Sequence, residues 1–479
     1  MNRWSSILCL LFVTGLVFAQ KVTVSDEITL RNDLSYDLVG KIDSHFILFR
    51  DRGNKFEARI YDQELKLKMD KDITLADRNC NIYASLATAT SFYIFYGFRH
   101  RGDYYLLGDE LDSGCNIISS DTIKIFENII LNPNIRHARS EDRSKIIFFT
   151  DEKDHEMLVV LYDINKQKTI YDRKIYFKET YLKDDFRSLL VTNTGDMILI
   201  LEKNNFRTKK DKHVFEIHRF YPSADAAETY IIPVFRFVSF HSKFVFDNVN
   251  HQLVGGGVYS QKNLNRAEGV YYLKHSLKAG AEERLTTFAF QSRFDEEITK
   301  RSKDKNEFSQ LEVSDIALHQ DGGALLIMEI KKEYERRSAY GSGRNLNLPG
   351  GGYRNAMLVD YYYEDMALFS VNADGNLLWT DILHKKQYSH DDDGIFSSFF
   401  LFKNPSRLRL VYNDEISSEN TVSEYVVQGD GKYQRKSVLS TEYVRLQLRF
   451  KDAVQISPSA FIVPSQRALR LNLVKIEYL

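Results

Sequence analysis

The sequence predicts an all-β fold built from about eight repeated units. Hairpins of apolar strands recur along the chain, charged or glycine-bearing turns separate the strands, and the units follow one another at roughly fifty-residue intervals. The unit is clearest at residues 45–73. There an apolar strand, a polar turn at 51–54, a second strand, a turn at 62–64 and a third strand follow in order.

The central hairpin of the unit occurs eight times. The pairs are 45–52 with 55–62, 92–99 with 103–112, 145–152 with 156–165, 196–203 with 213–222, 252–260 with 269–278, 323–330 with 366–375, 408–415 with 421–430, and 459–466 with 467–479. Several second strands end in a turn that leads to a further apolar strand, as Tyr61-Asp62 leads to Met69 and Ile73. The Asp or Gly supplies a tight turn, and the apolar side chains after it can pack between neighbouring sheets.

These units resemble the blades of β-propellers over nearly all of the chain after residue 19. One segment, NADGNLLW at 372–379, is similar to the turn-plus-tryptophan of a quinoprotein-type blade, and it occurs once. The resemblance implies a β-propeller of about eight four-stranded blades, with seven as the alternative if one weak unit is a loop. It implies no functional residue.

Closure of the ring is expected to involve both ends of the chain. The last unit has a first strand at 451–457 and the hairpin that starts at 459, which leaves no residues for a fourth strand. Residues 21–30, KVTVSDEITL, alternate like a strand. We expect this segment to complete the last blade, because an open ring would leave a free sheet edge.

Residues 1–19 have the pattern of a secretory signal peptide. Arg3 precedes an apolar run at 7–18, and Val17 and Ala19 are small enough for cleavage before Gln20. The run is too short to span a membrane. An exported protein is predicted, in the periplasm, at the cell surface or in the medium, and an uncleaved or lipid anchor is the alternative. The one N-x-Ser/Thr site has proline at x, which favours a bacterial source.

Composition limits the remaining classes of function. Hydrophobic residues make up 43% and aromatic residues 13%, which is ample for a core. Lys plus Arg number 65 against 66 Asp plus Glu, so the net charge of -1 offers no general attraction to nucleic acid. Seven prolines favour one domain over 20–479 rather than a string of linked domains, and no later segment is apolar enough to cross a membrane.

Two cysteines remain after the predicted signal peptide. Cys80 and Cys115 could form a disulfide, which an exported protein permits. Two separate buried thiols are the alternative.

Two segments interrupt the repeat, at 293–312 and 331–363. The first is highly charged and is expected to be a solvated helix or a loop. The second contains glycine-rich runs and ends in Tyr361, Tyr362 and Tyr363. Loops inserted into a rigid scaffold often carry function, so this segment is a candidate binding element, with a surface excursion of no function as the alternative.

Residues 385–398, KKQYSHDDDGIFSS, hold the most suggestive polar cluster. Asp391 and Asp393 are candidate oxygen ligands for Ca²⁺, although an EF-hand spaces its acids at alternate positions. The segment also resembles, one residue out of register, the Asp box of sialidase-like propellers, which is structural there. A solvated turn is the alternative, and no other cofactor is expected.

Two functions are compatible with these observations. The favoured one is an exported binding or scaffold protein for a protein or glycan of the cell envelope. Its candidate contact residues, expected to be exposed, are Tyr361, Tyr362, Tyr363, Lys385, Lys386 and Gln387. The alternative is a glycan-acting hydrolase or lyase with His390 and Asp391–Asp393 at the channel mouth. HExxH, GxSxG, P-loop and GxGxxG motifs are absent from the sequence, and no catalytic residue is assigned.

Overall fold

The described residues form eight antiparallel β-sheets and very little helix. The structure is a computed structural model that describes residues 20–478 except 54, 207–208, 225, 235–236, 262–265, 278–282, 300–306, 337–357, 417–420, 440–442 and 444. The predicted signal peptide therefore lies outside the described residues. The described chain begins with two short strands, β1 (Gln20–Val24) and β2 (Ile28–Thr29).

Seven sheets, blades 1 to 7, then follow in chain order. Blade 1 is β3 (Ser35–Ile42), β4 (His45–Asp51), β5 (Phe56–Tyr61) and β6 (Leu67–Ile73); blade 2 is β7 (Asn81–Ala87), β8 (Ser91–His100), β9 (Asp103–Asp112) and β10 (Ile117–Phe126). Blade 3 is β11 (Arg136–Arg139), β12 (Lys145–Lys153), β13 (Glu156–Asp163) and β14 (Lys168–Tyr176); α1 (Leu182–Asp185) leads into blade 4, which is β15 (Phe186–Val191), β16 (Met197–Lys203), β17 (Val214–Phe220) and β18 (Glu228–Pro233).

The later blades carry the longer additions. Blade 5 is β19 (Val238–Asp247), β20 (Gln252–Ser260), β21 (Gly269–Ser276) and β22 (Glu283–Ala289), followed by α2 (Ser292–Thr299); blade 6 is β23 (Leu311–Leu318), β24 (Ala324–Arg336), β25 (Leu358–Val371) and β26 (Leu377–Leu383), with β27 (Gln387–His390) added. Blade 7 is β28 (Phe399–Asn404), β29 (Arg407–Asn413), β30 (Val422–Val427) and β31 (Tyr433–Ser437); blade 8 contains β32 (Val454–Ser457), β33 (Ala460–Arg467) and β34 (Arg470–Tyr478). Short 3-10 turns lie at Lys210–Lys212, Glu307–Gln310 and Phe450–Asp452.

The sheets pack face to face around a ring. Buried apolar side chains form eight clusters, and each cluster joins two consecutive blades, including blade 8 to blade 1. The alternation of a strand explains this arrangement. In β8, Phe92 and Ile94 face the cluster shared with blade 1, while Tyr93 and Phe95 face the cluster shared with blade 3. Each central strand is therefore apolar on both sides.

Blade 8 is completed by the start of the chain. β1 pairs antiparallel with β34, with Val22 opposite Ile476, so the sheet order is β1-β34-β33-β32. β2 also pairs with β34, and Ile28 and Leu30 enter the cluster between blades 8 and 1. The predicted eight-bladed β-propeller, its eight central hairpins and its closure by both chain ends are confirmed.

The ring has two distinct faces. The first strands of neighbouring blades contact one another around the centre, as β3 and β7, β15 and β19, and β19 and β23 do. Because the strands of a blade are antiparallel, turns between first and second strands share one face with turns between third and fourth strands. We call this the lower face. The upper face carries the turns between second and third strands and the connections between blades.

Candidate functional site

Blade 6 projects beyond the ring at the upper face. Its central hairpin, β24 and β25, has strands of 13 and 14 residues, and β27 pairs with the first part of β25. The three strands form a small sheet, here called the blade 6 extension, from residues 331–336, 358–363 and 387–390. The predicted insertion at 331–363 thus begins and ends as strand rather than loop, and its residues 337–357 lie outside the described residues.

One face of the extension carries an aromatic row, Tyr334, Tyr362, Tyr388 and His390. The centroids of the Tyr334 and Tyr362 rings lie 5.8 Å apart, those of Tyr362 and Tyr388 lie 4.9 Å apart, and those of Tyr388 and His390 lie 6.1 Å apart. Tyr334 is 51% exposed and Tyr388 is 46% exposed. The strand register places all four side chains on the same face. The row is a solvent-facing surface of the kind that contacts partners in other proteins.

The opposite face of the extension is covered by the chain that follows β27. Tyr361 and Tyr363 are buried, and Gly394 packs so closely that an added Cβ would lie 3.3 Å from the Tyr363 ring and 3.4 Å from that of Tyr361. The expectation that all three tyrosines are exposed is therefore wrong for Tyr361 and Tyr363. Strand alternation gives the reason, because only Tyr362 points to the outer face.

Lys385 was also expected to be exposed, but the structure shows that it is buried. Its Nζ lies 2.6 Å from Glu329 Oε1 and donates to the carbonyl of Tyr363 at 3.1 Å and to Gln387 Oε1 at 2.8 Å. Burial lowers the pKa of Lys385, while the Glu329 carboxylate acts in the opposite direction. Lys385 is thus a structural cation of blade 6 rather than a surface contact.

Gln387 is buried for a related reason. Its Nε2 donates to the carbonyls of Ser398 and Asn413 at 3.2 and 2.7 Å, which fastens β27 to the start of blade 7. The expectation that Gln387 is exposed is therefore also wrong. Of the three neighbouring candidates, only Lys386 is exposed to solvent.

At the inner side of the extension, the ring of Tyr363 lies near Lys451 and Lys331. Lys451 Nζ lies 4.9 Å from the centroid of its ring and 3.3 Å from its hydroxyl, and Lys331 Nζ lies 5.8 Å from the same centroid. Burial raises the pKa of Tyr363, so the phenol is neutral at physiological pH. Aromatic and cationic groups here stabilise one another.

The three consecutive acids hold a turn, and each has its own partner. Asp391 accepts from the Val359 amide at 2.8 Å, and Asp392 accepts from Ser389 Oγ and the Gly394 amide at 2.9 Å. The hydroxyl of Tyr361 donates to Asp393 at 3.4 Å. Asp391 and Asp393 both adopt positive φ. Within the described ranges, no group of three or more His, Cys, Asp or Glu side chains is arranged as a metal site.

The two cysteines are free thiols in the structure. Cys115 is buried in the cluster between blades 1 and 2, and Cys80 packs against that cluster. Burial raises the pKa of both thiols to about 12. The predicted insertion at 293–312 contains α2 apart from its first residue, then residues outside the described set, the turn Glu307–Gln310 and the first two residues of β23.

The sequence reading missed a set of buried carboxylates, each paired with a cation. The pairs are Arg50 with Glu57, Arg187 with Glu202, Lys385 with Glu329, and Arg409 with Glu424. All four carboxylates are 3% exposed or less. A single Glu inside an otherwise apolar central strand, as in MILILEK of β16, is the sequence pattern that could have indicated such a buried, paired carboxylate.

A large cavity opens at the lower face around the centre of the ring. It has a volume of about 930 Å³ and is lined by residues of blades 3 to 7. Half-buried apolar side chains form part of its wall, namely Leu190, Val245, Phe246, Leu318, Trp379 and Leu408. Arg139, Lys403 and Arg407 also line it. Sequence spacing gave no indication of this cavity, because its residues come from five separate repeats.

Comparisons with known proteins give no further identification. No protein-family model matches the sequence, and no curated protein matches it. Among solved structures, the chain is similar to an uncharacterized protein of Listeria monocytogenes, with 9% identity, a TM-score of 0.39, and coverage of 83% of this chain and 92% of that one. It is also similar to the β-propeller domain of the Trilobed protease from Pyrococcus furiosus, with 11% identity, a TM-score of 0.39, and coverage of 88% and 98%.

A third similar structure is prolyl oligopeptidase B from Galerina marginata, with 9% identity and a TM-score of 0.38. The alignment covers 91% of this chain and 55% of that enzyme. Likenesses this weak carry no argument about activity, and the strand topology above is what establishes the fold. Within the described residues, no helix has the length and apolar character needed to cross a membrane.

Proposed function

We propose that the chain is an exported, non-catalytic binding propeller that engages a protein or glycan of the cell envelope through the blade 6 extension. The observation that carries the proposal is the aromatic row, Tyr334, Tyr362, Tyr388 and His390, on a sheet that projects beyond the ring. Exposed aromatic rings held on a rigid support lose little conformational freedom when they bind a partner, so they are efficient contact residues.

The ring supplies the rigidity. The opposite face of the extension is fixed by the Glu329–Lys385 ion pair and by the bonds from Gln387 to blade 7. The row is therefore held in one geometry before any partner arrives. The acids considered for a hydrolase hold the turn between β27 and blade 7 instead, which favours binding over catalysis.

A capture experiment tests this function. Purified protein is used to capture partners from an envelope fraction, and Tyr362→Ala is compared with Tyr176→Ala, an equally conservative change at a 67% exposed tyrosine on blade 3. We expect Tyr362→Ala to weaken capture at least tenfold, about 1.4 kcal/mol, and Tyr176→Ala to leave it unchanged. Equal capture by wild type and Tyr362→Ala would overturn the assignment.

The same experiment separates the two kinds of partner. Protease treatment of the envelope fraction removes capture of a protein, whereas glycosidase treatment removes capture of a glycan. Lys386→Glu is a second variant, because Lys386 is the exposed cation beside the row. Its effect on capture shows whether the partner also presents negative charge there.

A further inference from the structure

The cavity at the lower face has the features of a small-molecule site. Its volume of about 930 Å³ lies within the range of roughly 300 to 1,000 Å³ that ligand pockets occupy. It lies at the end of the ring opposite the blade 6 extension, since it is lined by turns between first and second strands, such as those at 318–321 and 404–408. A ligand there would not touch the aromatic row.

The apolar part of the wall is substantial. Leu190, Phe246, Leu318 and Leu408 come from four blades, and each is only half-buried. Trp379 adds an indole whose Nε1 donates to the carbonyl of Gly429 at 3.1 Å, which fixes the ring orientation. Apolar surface that remains solvated in a concave site gains free energy when an apolar group covers it.

The charged side chains of the wall differ in whether they already have hydrogen-bond partners. Its carboxylates already accept hydrogen bonds: Glu141 from Asn248 Nδ2 at 2.9 Å, Asp315 from the Ile316 amide at 2.8 Å, and Asp321 from the Gly323 amide at 2.9 Å. Arg139, Lys403 and Arg407 line the same cavity. In the part of the chain that the structure describes, no ion pair joins any of these three cations to a carboxylate. The described lining therefore has equal numbers of cations and carboxylates, but only the carboxylates have a hydrogen-bond partner, so an anionic head would supply the missing partner of the cations.

We propose that this cavity binds a small amphipathic anion, with its apolar body against Leu190, Phe246 and Trp379 and its carboxylate paired with the lining cations. The apolar wall explains why a purely polar anion is a poor ligand. A positive head is expected to bind more weakly, because it would compete with the donors from which Glu141, Asp315 and Asp321 already accept.

Trp379 provides a direct readout. The sequence has two tryptophans, Trp4 and Trp379, so the full chain carrying Trp4→Phe has Trp379 as its only tryptophan. Three probes are titrated below their micelle-forming concentrations: sodium decanoate, decyltrimethylammonium bromide and sodium acetate. We expect decanoate alone to shift Trp379 emission saturably. Isothermal titration calorimetry with the same probes gives a measure of binding that does not depend on the fluorophore.

Variants localise the site. Lys403→Met with Arg407→Met changes two exposed side chains, so folding should be retained, and decanoate affinity should fall at least fivefold. Lys166→Met, at a 79% exposed lysine on the lower face of blade 3, is the matched control and should leave affinity unchanged. Tyr362→Ala should also leave it unchanged, which separates this site from the proposed binding function. The proposal is overturned if decanoate does not saturate, if decyltrimethylammonium binds equally well, or if the double variant retains full affinity.

Discussion

At the scale of single residues, buried charge pairs make the blades sensitive to the loss of either partner. Neither side chain of the Glu329–Lys385 pair is exposed. Glu329 also accepts from Ser398 Oγ at 2.7 Å and Ser314 Oγ at 3.3 Å. An ion pair this deeply buried adds little net free energy when intact, but removing one partner leaves the other charge without compensation.

Glu329→Gln therefore tests the pair. We expect the free energy of unfolding to fall by about 3 kcal/mol or more, since Lys385 keeps its charge in a buried position. Guanidinium unfolding monitored by circular dichroism measures the change. Asp430→Asn is the control, because it breaks only the exposed ion pair with Lys432 and should leave the free energy of unfolding nearly unchanged. A loss for Glu329→Gln no larger than that of the control would contradict the role assigned to this pair.

Glu202 makes stability depend on pH. Burial alone would raise its pKa, but the hydrogen bond from His213 and the charge of Arg187 outweigh burial and hold the pKa below its usual range. A carboxylate with a depressed pKa in the folded state contributes stability above its unfolded pKa, near 4.5, and loses it as pH falls through the folded value.

We therefore expect the unfolding free energy of the wild type to decline steeply below about pH 4.5. Glu202→Gln should be less stable at pH 7 and should show a shallower decline. Urea unfolding at a series of pH values measures both curves. Parallel curves for the two proteins would show that Glu202 does not contribute to the acid sensitivity.

Residue-level prediction from the sequence was uneven for physical reasons. Tyr362 was expected to be exposed and is half-buried on the outer face, whereas Lys385 was not recognised as buried. Its partner Glu329 lies 56 positions earlier, and the two meet only because β25 pairs with β24 on one side and with β26 and β27 on the other. A lone acid in an apolar strand predicts a buried cation somewhere, but not which one.

At the scale of elements, strands and hairpins followed closely from the sequence. All eight central hairpins were predicted because continuous apolar runs bounded by turns are characteristic of strands buried on both faces. The blade 6 extension was not predicted. Its strands are polar where they leave the ring, as KKEYER at the end of β24 shows, so the pattern there predicts a loop.

The three glycines of β20 give a prediction at this scale. An added Cβ at Gly257 would lie 2.4 Å from the His241 carbonyl oxygen and 2.7 Å from the Tyr271 ring. Gly257→Ala should reduce the free energy of unfolding by about 1 to 3 kcal/mol through overpacking. Gly429→Ala, where nothing lies within 4 Å of the added carbon, should be nearly neutral. Thermal unfolding distinguishes them, and equal melting temperatures would refute close packing at β20.

At the scale of the whole molecule, β1 and β2 hold the ring closed. Ile28 and Leu30 are 2% and 6% exposed, and each contributes about 1.5 to 3 kcal/mol by burial. Deleting residues 20–30 should reduce the free energy of unfolding by about 5 kcal/mol. It should also promote self-association, because β34 becomes a free edge.

Differential scanning calorimetry and size-exclusion chromatography measure these two effects. Glu27→Gln is the matched control, since it removes only the exposed ion pair with Arg470 and leaves the strands intact. A synthetic peptide of residues 20–30 added to the truncated protein should restore the monomer. Unchanged melting and elution after the deletion would mean that blades 1 to 7 are stable without closure.

The pairing of β1 with β34 also has a consequence for the order of events during synthesis. A ribosome delivers the chain at roughly 5 to 20 residues per second, so about 20 to 90 seconds separate β1 from the strand that it must meet. Until then, the apolar face of blade 1 that holds Phe46 and Leu48 has no neighbour. A factor that binds nascent chains would therefore prevent most aggregation by covering that face. Mutations that slow translation would lengthen the interval in which the uncovered face can aggregate.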